Sequence, residues 1–382
     1  MSLVLTEEQE ILQRTARELV QSRSPVKRLR ALRDDKDGDG FSRALWQEMA
    51  QLGWLGIVVP EQYGGAGMGW RDLMVVLEEC GRNLVPEPIT GTLVLGATAV
   101  LLGGTEAQKQ AILPGVAAGE RFLALAYQEP TSRYDHLRIE ARAERAGAGW
   151  KLTGDKRHVL DGQVADTFVV SARTGGAPGD ATGITCFLVH RDAPGVTVER
   201  QWRVDARGAA TLRLDGVTVS AEAVLGGEGQ GGALLERTLD RGTIALCAEM
   251  LGAMTACFEM TLDYLKTRKQ FGVPIGSFQA LKHRAARCFV ETELARSIVM
   301  AAHEALDAGA DDAQVARLAG IAKARCTEGF LLIANEGVQM HGGIGMTDEH
   351  DVGLYLKRAR TAEMQFGDAA FHRDRVARVD GY

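Results

Sequence analysis

The sequence predicts an α+β fold in three consecutive parts: an N-terminal α-helical domain over 1–119, a middle β-barrel or sandwich domain over 120–226, and a C-terminal four-helix bundle over 227–382. Three observations carry this. Apolar residues recur at helical spacing as far as Gly119; short β-branched runs separated by turn residues occupy Arg121 to Leu225; long helical periodicity then returns and holds to the end. A chain of 382 residues is long enough for more than one packed core.

In the first zone, "TEEQEILQRTARELVQ" places Ile11, Leu12, Ala16 and Leu19 on one face, with Thr6 as the N-cap. "RALWQEMAQLGWLGI" is a second helix that stops at glycines, and Pro and Gly make "PEQYGGAGMGW" a loop. "WRDLMVVLEECGRN" and "TEAQKQAILPGVAAGE" follow as helices. The strands of the second zone are "FLALAY", "RIEARAERA", "WKLTG", "DTFVVSAR", "TCFLVH", "VTVERQW" and "ATLRLDGVTV", with "TGGAPGDATG" a polar hairpin tip or disordered loop. In the third, the run from "GALLERTLDRG" to "LKTRKQ" reads as one very long helix, and two more long helices follow.

Hydrophobic residues make up 46% and charged residues 25%, as in ordinary globular chains. A net charge of −6, from 44 basic and 50 acidic residues, is too mild to suggest nucleic acid. "MSLVLTEEQEILQ" has no basic region before its apolar run and meets two glutamates at once, which argues against a signal or transit peptide. No run approaches the roughly 20 apolar residues of a membrane span. Six scattered cysteines without a CxxC pair read as reduced core thiols, not disulfides or a metal site, so the expected setting is cytoplasmic.

Particular segments then carry a resemblance. "TRKQFGVPIGSFQALKHRAA" (267–286) resembles the Arg-x-x-Phe-Gly-x-Pro-Ile-x-x-Phe-Gln segment of acyl-CoA dehydrogenases, and "VQMHGGIGMTDEHDVGLYLKRAR" (338–360) their Gln-x-x-Gly-Gly-x-Gly-x-x-x-Glu segment. "PEQYGGAGM" (60–68) is similar to the family's Pro-Glu-x-Tyr-Gly-Gly loop, and "EPTSRYD" and "WKLTGDKRHVLDGQVAD" stand in place of its central β signature. The resemblance implies bound FAD, an acyl-CoA substrate oxidised between Cα and Cβ, and an electron-transfer flavoprotein as acceptor. Such desaturation needs a carboxylate to take the α-proton, a flavin N5 to receive the β-hydride, and donors to the thioester carbonyl.

Arg268 offers a charged fork and Gln270 a neutral hydrogen bond to a pyrophosphate. The family match implies that Arg268 and Phe271 contact the FAD of a neighbouring subunit; the plain alternative is a helix-terminal Arg and a core Phe. At Gln339, Gly342 and Gly343, glycines would let backbone N–H groups approach a phosphate or adenine edge, or simply cap the helix. His158 stands where the family commonly has an aromatic residue beside the flavin, with a surface strand histidine as the plain alternative, and Gln128 stands where a side chain faces the flavin's pyrimidine end. Arg133-Tyr134-Asp135 replaces the family's Gly-Ser-Asp.

Most members carry a catalytic Glu before a Gly near the C-terminus; here the matching residue is Phe366, with Asp368 two residues on. A smaller branch has its Glu near the start of the long helix, where this chain has Gly242, a substitution that would also open room for a bulky acyl group. Two carboxylates are candidate bases. Asp368 is also a suitable N-cap for "AAFHRDRVARV", and Glu249, on the helix face of Gly242, Leu246 and Ala253, suits a structural ion pair as well. A third account is a homo- or hetero-oligomer in which a homologous subunit supplies the base, since "FGDAAFHRDR" resembles the small subunit of pimeloyl-CoA-type dehydrogenases. A flavin oxidase or monooxygenase on the same fold, and a non-catalytic assembly subunit, are the rival classes.

Overall fold

In the computed structural model, which describes residues 4–35 and 38–382, the Thr6 side chain accepts from the Gln9 amide and Gln9 answers on the Thr6 amide. This capping box starts α1 (Glu7–Arg23). The following helices are α2 (Val26–Asp34), α3 (Arg43–Gln51), α4 (Trp70–Arg82), α5 (Thr98–Gly103) and α6 (Glu106–Ala117), with a π-helix over Thr90–Ala97. Strands β1 (Leu123–Ala126), β2 (Arg142–Ala146), β3 (Gly149–Leu160), β4 (Thr167–Arg173), β5 (Ile184–His190), β6 (Val196–Trp202) and β7 (Gly208–Val219) fall on the seven predicted runs. The long helices are α7 (Gly231–Thr267), α8 (Gln279–Asp307) and α9 (Asp312–His341), followed by α10 (Val352–Met364) and α11 (Ala369–Val379).

By packing, the chain sorts into two compact units. One comprises Asp35–Gly69 and Pro86–Gly242; the other comprises Met1–Asp34, Trp70–Val85 and Thr243–Tyr382. The first holds an eight-stranded sheet in the order β6-β7-β3-β2-β4-β5, closed at the β5 edge by the short β8 (Val224–Leu225), with β1 parallel to β4. The β3–β7 register shifts between Lys156 and Val159, forming a bulge at Arg157-His158. The π-helix lies wholly buried. Its amide at Gly91 donates to Asp161 Oδ2 (3.0 Å), and a Cβ at Gly96 would sit 2.3 Å from Leu123 Cβ, so only glycine lets it approach β1. The "PEQYGG" loop is folded within this unit: Tyr63 is buried, and its hydroxyl donates to Glu106 Oε2 at 2.8 Å. The segment "TGGAPGDATG" is the β4–β5 hairpin tip, gathered by Arg173, which donates to the carbonyls of Gly175, Asp180 and Thr182.

The second unit is helical. α8 packs along α9, α10 and α11 pack on α9, and α4 packs on α1 and α8. Asp307, at the end of α8, accepts from the Trp70 (2.6 Å) and Arg71 (3.0 Å) amides and so caps α4. Where α4 crosses α7 the backbones touch at two glycines: a Cβ on Gly81 would lie 2.0 Å from Glu249 O, and one on Gly252 1.8 Å from Glu78 O. Among the described residues α7 alone is long and apolar enough to cross a membrane, but 78% of its apolar window is buried within the protein, as in a core helix. The six cysteines are buried free thiols, and among the described residues no cluster of His, Cys, Asp or Glu could hold a metal ion.

Two buried histidines set an acid limit on stability. Burial pushes His303 down to about 4 and His372 down to about 3. An unfolded histidine takes up its proton near pH ~6.5. Below that value the unfolded state binds protons the folded state refuses, so stability falls as pH drops towards 4 and then 3. Urea midpoints should therefore decline steadily over this range, and His303→Gln should flatten the decline.

Candidate active site

α7 ends where Arg268 leaves the helix, its amide still donating to Tyr264 O (2.8 Å) and its carbonyl accepting from Ile275 (2.8 Å). Lys269–Gln270 pairs with Val273–Pro274 in a hairpin whose tip is Phe271-Gly272, both in left-handed backbone (φ 54° and 80°). Phe271 is therefore projected outwards, 91% exposed, with the Phe278 ring edge-on to it at 6.2 Å; it is not a core residue. Arg268 and Gln270 are exposed beside it.

α9 ends in a similar way. Gly342 (φ 66°) is its C-cap, its amide donating to Gln339 O, and a Cβ at Gly342 or Gly343 would meet no heavy atom within 4 Å. Gln339 is exposed on the last turn. The structure joins these two segments through a ring stack: His341 lies 4.4 Å from Tyr264, one turn before Arg268, and 4.3 Å from His350. His341 is held by a bond from Nδ1 to Gly337 O (2.7 Å), and burial pushes its pKa down. The loop after the glycines is pinned by charge. Arg33 grips Asp348 (2.8 Å), Lys357 adds a contact (3.3 Å) and Arg30 pairs with Asp351; the hydrogen bonds from Arg33 and then Lys357 hold Asp348 down at about 2. The two segments thus form one exposed cluster of open glycine backbone, a guanidinium, two amide side chains and an aromatic ring, a set suited to a large anionic ligand with a planar base.

In the sheet unit, His158 occupies the β3 bulge with φ 52°, a left-handed conformation costly for a non-glycine residue. Its Nδ1 donates to Gln201 Oε1 (3.2 Å), and burial pushes its pKa down. Gln128 is adjacent, because its carbonyl accepts from the Arg157 amide (2.8 Å), while its side chain donates to Arg133 O (2.7 Å). Arg133 is also left-handed (φ 46°), with its guanidinium over the Tyr134 ring at 5.0 Å. Asp135 accepts from the Leu137 amide (3.0 Å). Beneath the bulge, fully buried Lys156 pairs with Glu129 at 2.5 Å and donates to Ser171 Oγ at 3.1 Å. The Glu129 carboxylate also accepts from the Glu140 (2.6 Å) and Ala141 (3.1 Å) amides. Burial lowers the lysine pKa, with the nearby carboxylate opposing it.

Asp368 is the N-cap of α11, its Oδ1 accepting from the Phe371 amide at 2.9 Å. Phe366 precedes it in left-handed backbone (φ 63°), followed by Gly367 (φ 112°). Glu249 is buried on α7, with its backbone against Gly81, and Gly242 is buried two turns before it. Two side chains that sequence reasoning passed over touch the Phe366 segment: Lys323 of α9 donates to Gly367 O (2.6 Å), and His372 bonds Phe366 O (2.9 Å). A lysine inside the apolar run "GIAKARC" was the one visible signal.

Family profiles match in chain order: the acyl-CoA dehydrogenase N-terminal domain over 6–120, its middle domain over 124–217 and its C-terminal domain over 229–379. Isovaleryl-CoA dehydrogenase from Pongo abelii is 30% identical over 382 residues, spanning 98% of this chain and 89% of that one. The chain belongs to the acyl-CoA dehydrogenase family. Among solved acyl-CoA dehydrogenase structures, butyryl-CoA dehydrogenase from Megasphaera elsdenii superposes with a TM-score of 0.91 at 26% identity, covering 99% of both chains. The ChsE4-ChsE5 complex from Mycobacterium tuberculosis is also similar, with a TM-score of 0.88 at 28% identity over 99% of this chain and 98% of that one.

Proposed function

We propose that the chain is an FAD-binding acyl-CoA dehydrogenase subunit that takes part in α,β-desaturation of an acyl-CoA thioester, with the α-proton acceptor supplied by a homologous partner subunit. One observation carries this reading: Phe366 stands where the family's glutamate would be, while the nearest carboxylate on that segment, Asp368, is engaged as a helix cap. The cofactor segments are by contrast open, with Gly342 and Gly343 bare and Arg268, Gln270 and Phe271 exposed. Within the helical unit, Arg268, Gln270, Gln339 and the Gly343 backbone would hold the anionic and adenine parts of a dinucleotide; within the sheet unit, Gln128 and His158 would face a flavin ring. When bound, FAD supplies the hydride acceptor for Cα–Cβ oxidation. The similarity to a complex of two differently named chains supports a hetero-oligomer, and an electron-transfer flavoprotein is the expected electron acceptor. We place the functional parts at 1–119, 120–226 and 227–382, and the protein in the cytoplasm.

The test is anaerobic titration with a thioester panel of the protein purified alone and co-expressed with its neighbouring gene product. Flavin should bleach in the co-expressed sample and reoxidise slowly in air. Bleaching at full rate by the isolated chain overturns the partner requirement; bleaching in neither sample overturns the dehydrogenase assignment, and rapid reoxidation with O₂ consumption would show an oxidase. Asp368→Ala and Glu249→Ala should each leave the bleaching rate of the complex within about threefold of wild type. Loss of a working base costs on the order of 10²–10⁴-fold, so a drop of that size in either variant would identify it as the proton acceptor.

A further inference from the structure

We propose that Lys323 is a positioning residue that fixes the backbone of Phe366-Gly367-Asp368 from inside the helical unit, and so sets the wall that Phe366 presents. The lysine is 0% exposed on α9, between buried Ala322 and Ala324. Its three partners are all neutral oxygens: Thr327 Oγ1 (3.2 Å), Glu363 O (3.1 Å) and Gly367 O (2.6 Å). Taking an ammonium out of water without a bonded carboxylate is costly, so a packing role alone would favour an apolar side chain here. What the ammonium does instead is specific. Glu363 O belongs to the last turn of α10, whose carbonyls have no helical donor, and Gly367 O lies beyond the helix end. One side chain therefore ties an open helix terminus to the segment that follows it. Burial pushes its pKa down to about 8, still above neutrality, so all three N–H donors are present at pH ~7.

A second donor completes the hold. His372 Nε2 lies 2.9 Å from Phe366 O, and its buried Nδ1 has no protein partner, so Nε2 carries the proton and donates. Consecutive carbonyls, those of Phe366 and Gly367, are thus held from α11 and α9. This accounts for a conformation the segment would not adopt unaided: a phenylalanine at φ 63° beside a glycine at φ 112°, where a Cβ on the glycine would lie 2.3 Å from the Phe371 ring. Lys323 acts only through this backbone. The functional meaning of the hold rests on the reading above, in which Phe366 stands at the family's base position.

The experiment compares hydrogen exchange in the full-length wild type, Lys323→Met and Thr327→Val, the last removing one acceptor with little change in shape. Peptides covering 360–372 should exchange about tenfold faster in Lys323→Met and less so in Thr327→Val, while peptides from β1–β7 stay unchanged. Unchanged exchange at 360–372 in Thr327→Val and in any folded Lys323→Met, or acceleration spread evenly over the chain, overturns the proposal. In the co-expressed complex, the ratio of kcat/KM for a short and a bulky acyl-CoA should shift by about threefold or more in these variants. A uniform fall in rate with the ratio preserved also overturns it, since loss of folded protein lowers both values equally. The exchange measurement needs no flavin, so failure of the hold is separable from failure of the FAD reading, which the bleaching titration decides.

Discussion

Gly252→Ala is expected to be the most damaging single methyl addition in the chain, costing about 3 kcal/mol or more and showing as a sharp fall in melting temperature. The added Cβ would lie 1.8 Å from Glu78 O, 2.7 Å from its carbonyl carbon and 2.9 Å from the Arg82 amide. All three are backbone atoms of α4, so no rotamer change relieves the clash and the helices must part. Gly81→Ala should behave alike, because its Cβ would meet the Glu249 carbonyl at 2.0 Å. Parting would also loosen Arg296 from Glu78, now 2.7 Å apart. Since both substitutions force the same separation, the double variant should cost less than the sum of the two. A loss below about 1 kcal/mol in each would show that the crossing tolerates a side chain.

The second large effect concerns the buried pair under the β3 bulge. Glu129→Gln should cost about 3–5 kcal/mol, because it leaves Lys156, fully buried, without its carboxylate. Lys156→Met removes the opposite partner and should cost a similar amount, although the Glu140 and Ala141 amides still serve the carboxylate left behind. The Glu129→Gln/Lys156→Met double variant should recover a coupling of about 2 kcal/mol relative to the sum, measured by urea denaturation. Strict additivity would mean that water reaches the pair and that the charges do not depend on each other.

The fold class and the strand positions were legible because β2, β3 and β5–β7 alternate or cluster β-branched residues between turn residues, and caps such as Thr6 and Asp368 are local signals. The π-helix was not, since "TGTLVLGA" is apolar on every side and has no polar face to reveal its period. Neither was α2, a highly charged helix in which Leu29 is the one buried residue. At the candidate site the residue types of the cofactor segments could be read directly, but whether Phe271 is core or surface depends on a hairpin tip that only the folded backbone defines. The Lys323 and His372 contacts were invisible for a different reason: their acceptors are carbonyls, which every residue carries.

The helical unit draws on three separated stretches of chain, Met1–Asp34, Trp70–Val85 and Thr243–Tyr382. During synthesis the first two leave the ribosome well ahead of the third, by roughly 10–30 s at ~5–20 residues per second. Until then α4, with its buried Leu73 and Leu77, waits without the α7 and α8 helices it packs against in the finished fold. The nascent chain therefore carries a long-lived sticky segment. Its yield in the cell should depend on holdase chaperones acting before the C-terminal helices emerge, even though the finished protein shows no trace of that dependence.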